Sequence, residues 1–133
     1  YESMREIHHA LDHFFTANPN GVYLLVGHSR GCADISTALM TYHPVLRKQV
    51  LVLGVAPAQF IDRDYCMDVR HLISEGDYVY LTDPLGYQRC KNTTQLLKPH
   101  PNAHWFDHNF DSPTYRMHIE AETKHVALYK KFR

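Results

Sequence analysis

Apolar residues recur along the chain in two alternating rhythms, and the switches between them outline its elements. Met4, Ile7, Leu11 and Phe14 fall three and four apart, the spacing of one helix face over residues 3–16. Asn18-Pro19-Asn20-Gly21 ends that helix, because proline cannot continue it and glycine accepts the turn. Residues 22–26 (VYLLV) then form an unbroken apolar run, too short for a helix and rich in strand formers. Helical spacing returns from Cys32 to Met40, giving a second helix over 29–42 that stops ahead of Pro44. A second strand spans 49–55 (QVLVLGV), apolar on successive residues and so expected to be buried on both faces. A third follows at 69–74, and a fourth is placed at 103–106. Ser112 as cap and Pro113 in the first turn open a last helix, on which Tyr115, Ile119, Glu122, Val126 and Tyr129 share a face. Helices alternating with buried strands predict one α/β domain over 1–133, with three to four parallel strands flanked by helices.

The first switch of rhythm raises a chemical question. Strand and helix meet at Gly27-His28-Ser29-Arg30-Gly31, a serine between two glycines. A G-x-S-x-G turn at that place holds its serine in a strained backbone and needs small neighbours on either side. The hydroxyl then stands at the C-terminal edge of the sheet, where the backbone N–H of Arg30 can donate to a developing oxyanion. A phosphate-binding loop is disfavoured, since the lysine of G-x-x-x-x-G-K-[ST] is missing.

With these motifs the sequence resembles the serine α/β-hydrolase superfamily, in its lipase- and esterase-like branch. GHSRG carries the resemblance most specifically. VLVLGVAPAQF looks like the following strand and its proline-containing turn. LISEGDYVYLTDP looks like the strand that ends in the acid, and HWFDHNFDSPTYRMHI like the histidine loop and final helix. GHSRG paired with HNFDSPTY is also similar to an uncharacterised hydrolase-like family of chlamydiae. The resemblance implies a serine hydrolase acting on a small-molecule or lipid ester, or another acyl substrate, through an acyl-enzyme. No metal or organic cofactor is implied.

In that superfamily the chain order is serine, acid, histidine. The acid follows a later strand, which selects Asp77 behind ISEG, with Glu75 and Asp83 as competitors. Gly76 is expected to permit a sharp exit from the strand. Among 11 histidines, His28 should point away from the hydroxyl, His8, His9 and His13 lie upstream, and His71 sits inside a strand. His108, ahead of the final helix, is the expected base, with His118 and His104 as alternatives. Ser29, Asp77 and His108 therefore form the expected triad. Gly27 and Gly31 shape the elbow, Gly31 being expected to keep helix and strand close. The short connection between the second and third strands leaves no room for a large lid.

Composition removes some classes and leaves others. Fourteen basic residues balance fourteen acidic ones, so no field favours nucleic acid or an anionic membrane. No apolar run approaches the ~18 residues of a membrane span, and no signal-peptide pattern is present. The 3 cysteines match neither a disulfide framework nor a CxxC metal site, and favour a reducing compartment. Two alternatives stay open: a non-catalytic interaction module of the same fold, and a metal-dependent hydrolase. The second would use His9, Asp12 and His13 at i, i+3, i+4, or His100, His104 and His108. The chain opens on Tyr1, and the resemblance starts at the helix before the nucleophile strand. These residues are therefore expected to be the second half of a hydrolase domain, whose second oxyanion donor lies in preceding sequence.

Overall fold

The computed structural model describes residues 2–131, with side chains placed over 3–126. Helix α1 (Glu2–Ala17) leads into β1 (Tyr23–His28), α2 (Gly31–Thr41), β2 (Val50–Val55) and β3 (Asp68–Ser74). A short α3 (Pro84–Arg89), β4 (Thr94–Leu97) and α4 (Pro113–Lys131) complete it. The four strands make one all-parallel sheet in the order β1-β2-β3-β4, with β1 and β4 as its edges. This is the α/β class that the apolar rhythms predict.

The alternation of side chains along each strand divides the core between two faces. Val50 and Val52 of β2, with Leu25 and Val69 beside them, pack under Leu11, Phe15, Ile35 and Leu39 of α1 and α2. Leu53, Val55 and Leu72 point the other way, against Tyr115 of α4, while Leu51 and Val22 meet Val126. All six residues of β2 are buried, as a strand between two layers requires. The side chain of Tyr129 lies outside the described residues. On α1, Ile7 and Phe14 are partly buried beside fully buried Leu11, so the predicted face does meet the core. Tyr42 fastens α1 to α2, its hydroxyl donating to Asp12 Oδ1 at 2.7 Å. Burial, then that carboxylate, holds the phenol protonated well above its usual range.

The fourth strand differs from expectation. Residues 103–106 form bends and irregular backbone, and the strand is Thr94–Leu97. The amides around 103–106 are satisfied locally: Ala103 N–H by His100 O, and Phe106 N–H by the His104 ring. Trp105, the largest apolar residue there, is 81% exposed. Thr94–Leu97 pairs with β3 from His71↔Thr94 to Ser74↔Leu97 and buries only Leu97. An edge strand needs little apolar patterning, so its short polar start hid it.

His71 is a buried histidine with a fixed role. Its Nε2 accepts from Ile61 N–H at 3.0 Å, leaving Nδ1–H to donate to Thr93 Oγ1 at 3.2 Å. Burial lowers its pKa from 6.5 to about 4, against the opposing hydrogen bond at Thr93. The unfolded chain therefore binds a proton in this window that the folded chain refuses. Stability should be unaffected above pH 6.5 and fall by about 3 kcal/mol as pH drops towards 4. Urea denaturation at stepped pH measures this slope, and His71→Leu should flatten it whatever its effect on absolute stability.

Candidate active site

The elbow begins where β1 ends. Ser29 has φ 56°, in the left-handed region that costs a non-glycine residue of order 1 kcal/mol or more. Three backbone bonds hold it there. Ser29 N–H donates to Val55 O at 3.1 Å, and Ser29 O accepts from Cys32 N–H at 3.2 Å and Ala58 N–H at 3.0 Å. The loop after β2 thus braces the turn after β1. That loop carries its own strained residue, Ala56 at φ 49°, whose N–H donates to Leu72 O. Arg30 already has helical dihedrals (φ −66°, ψ −23°) and caps α2, which begins at Gly31, two residues later than expected. Arg30 N–H makes no backbone hydrogen bond among the described residues.

The two elbow glycines differ. A Cβ on Gly27 would lie 2.7 Å from Ile35 Cδ1 and 3.3 Å from Cys32 N, so this is where strand and helix approach closely. A Cβ on Gly31 would meet nothing within 4 Å, which corrects the expectation that Gly31 keeps the elements close. Gly27→Val should therefore destabilise the fold by about 1–3 kcal/mol through overpacking. Gly31→Ala should stay within about 0.5 kcal/mol of the parent. Chemical denaturation of the two variants separates them.

Asp77 and His108 converge on Ser29 from two further loops. After β3 the chain turns through Glu75 and Gly76, and Asp77 N–H closes the turn on Ser74 O at 2.9 Å. The Asp77 carboxylate is buried; Oδ1 accepts from Val79 N–H at 2.9 Å and Oδ2 lies 2.8 Å from His108 Nδ1. A carboxylate only accepts, so Nδ1 carries the proton and Nε2 is left as acceptor. His108 Nε2 stands 2.9 Å from Ser29 Oγ. The expected triad residues are thus brought into one hydrogen-bonded line, with the His108 side chain 19% exposed.

The competitors are placed elsewhere. Glu75 is exposed, its N–H bonded to Leu97 O. Asp83 caps α3 through Gly86 N–H and also accepts from Phe60 N–H. His104 is exposed and turned onto Phe106 N–H, and His118 lies within α4. Gly76 is not in the left-handed region. Its lack of a Cβ instead admits the histidine loop, since that atom would sit 3.3 Å from Asp107 Cβ and Trp105 O.

Two residues of this region escape a reading by motif. Asp107, the neighbour of His108, is buried and accepts from the hydroxyls of Ser74, Ser112 and Thr114. Burial pushes its carboxyl upward, but those hydroxyls and the charge of His100 outweigh it and hold the group below its ordinary range. Tyr115 finishes the knot: its hydroxyl accepts from Ser74 N–H and donates to Asp107 O. Ser112 also accepts from Thr114 N–H, capping α4 as predicted. The other residue is His28, whose Nε2 lies 2.6 Å from His108 O.

Neither histidine cluster gathers around a common point. His9, Asp12 and His13 are exposed, and Asp12 serves Tyr42. His100 and His104 each accept from a backbone N–H in their own turns. Among the described residues no group of three or more His, Cys, Asp or Glu is arranged to hold a metal. The three cysteines are free and buried. Burial pushes the Cys32 and Cys66 thiols up to about 12 and raises Cys90 as well, so none is a reactive thiolate. A cleft of about 280 Å³ opens beside His8, Asp12 and Tyr42, at the end of α2 opposite Ser29. Among the described residues no helix is long and apolar enough to cross a membrane.

A scan against protein-family models, a search of curated proteins and a search of solved structures each returned no match for this chain.

Proposed function

We propose that the protein is a serine hydrolase of α/β-hydrolase type, cleaving an ester or related acyl substrate through an acyl-enzyme. The observation that carries this reading is the line Ser29 Oγ–His108 Nε2, His108 Nδ1–Asp77 Oδ2, at 2.9 and 2.8 Å. The left-handed Ser29 and the start of α2 directly behind it support it further. So does the sheet order, in which the nucleophile strand and its successors lie side by side in chain order.

Each group then has one task. His108 Nε2 removes the hydroxyl proton as Ser29 Oγ attacks the substrate carbonyl. Asp77 holds the imidazole in the Nδ1–H tautomer and stabilises the imidazolium once it forms. Arg30 N–H, at the positive end of α2, donates to the oxyanion. The imidazolium gives its proton to the leaving alcohol, and a water activated by the same nitrogen releases the acid. Phe106, 5.8 Å from the His108 ring, with exposed Tyr78 and Trp105 beside it and exposed Phe110 beside His28, offers apolar contact to an acyl group. Turnover of p-nitrophenyl esters of graded acyl length tests the reading. Activity that survives exhaustive chelation is expected, and activity lost on chelation and restored by a divalent metal would overturn it.

A further inference from the structure

The residue before the serine does more than occupy the turn. His28 ends β1, and its ring crosses to the histidine loop, where Nε2 lies 2.6 Å from the His108 carbonyl oxygen. A carbonyl only accepts, so Nε2 carries the proton and donates. The His28 ring also lies 4.9 Å from the His108 ring and 5.9 Å, edge-on, from Phe110. One side chain therefore ties the strand that carries Ser29 to the backbone of the residue that carries the base.

We infer that His28 is a positioning residue: its Nε2–H fixes the His108 carbonyl, and with it the imidazole between Asp77 and Ser29. This rests on the hydrolase reading for its catalytic meaning, though the contact itself is independent of any substrate. Asp107 anchors the loop on its other side, through Ser74 at the end of β3 and Ser112 and Thr114 at the start of α4. Nothing in that knot fixes the His108 carbonyl; His28 does. Freed from it, the peptide after His108 can turn and carry the ring away from one or both partners. A misplacement of about 1 Å at such a site costs on the order of 10² in rate.

Three variants of the full chain separate positioning from bulk. His28→Phe keeps an aromatic ring against Phe110 but has no donor. His28→Gln places an amide N–H near the reach of Nε2, and His28→Asn places one short of it. The imidazole ¹⁵N shifts of His108, read without substrate, report which nitrogen carries the proton. The parent and His28→Gln should show Nδ1–H with a bare Nε2, while His28→Phe and His28→Asn should show mixed tautomers at an unchanged melting temperature. With an ester substrate, the latter two should lose about 10- to 100-fold in kcat at constant KM, and His28→Gln should recover most of it. Parent-like His108 shifts in His28→Asn, or His28→Gln as disturbed as His28→Asn, would overturn the inference. If His28→Phe does not fold, the two amide variants still decide it. A parent that turns over no ester would remove the hydrolase reading and leave the ¹⁵N comparison standing.

Discussion

Asp77→Asn is expected to lower kcat by on the order of 10⁴ while the protein stays folded. The amide can keep Val79 N–H satisfied through its oxygen, so the turn after β3 survives. Towards His108 it can present an N–H instead of an acceptor, and the imidazole then turns its proton to the wrong nitrogen. In the proposed mechanism the fully buried carboxylate would also supply the charge that steadies an imidazolium. His108→Ala should be at least as damaging, because among the described residues no other imidazole is hydrogen-bonded to Ser29 Oγ. His104→Ala and His118→Ala should stay near the parent. Steady-state ester kinetics on the four variants gives the ranking; a harmless His108→Ala beside a damaging His118→Ala would reassign the base.

The second large effect is on stability. Asp107→Ala removes the acceptor shared by Ser74, Ser112 and Thr114 hydroxyls in a buried setting. Stranding buried polar groups costs about 1–3 kcal/mol each, less where a hydroxyl finds another acceptor, so a loss of at least about 3 kcal/mol is expected. Asp107→Asn should cost less, since its amide oxygen still accepts. The pH dependence has a definite sign. Asp107 titrates below its ordinary range when folded, so its stabilising share is present above the usual carboxylate pKa. It is lost as pH falls through the folded value. Urea midpoints of Asp77→Asn and Asp107→Ala should therefore diverge: the first stable and inactive, the second unstable. Equal midpoints would mean that Asp107 does not anchor the loop.

What could be read in advance follows from where the constraint is local. β2 is buried on both faces, and its continuous apolar run shows it. The break from β1 to α2 is legible because strain at Ser29 demands small neighbours, although only Gly27 proves tight. β4 is illegible in the sequence because an edge strand with one buried residue carries almost no pattern, while exposed Trp105 imitates one. Ser29, Asp77 and His108 stand out by their order along a recognisable series of motifs, and the fold places them in contact. Asp107 and His28 do not, because their contacts exist only across the fold. The one local hint was hydroxyl-bearing Ser112 and Thr114 following an aspartate closely in sequence.

The central claim is that Ser29 is an activated nucleophile, and a fluorophosphonate probe tests it most directly. Incubated with the full chain and mapped by peptide mass spectrometry, the probe should add once, on Ser29. Labelling should vanish in Ser29→Ala, with the melting temperature unchanged, and slow by at least about 10²-fold in His108→Ala. Equal labelling of Ser29→Ala, or no adduct on Ser29 in the folded parent, would contradict the account.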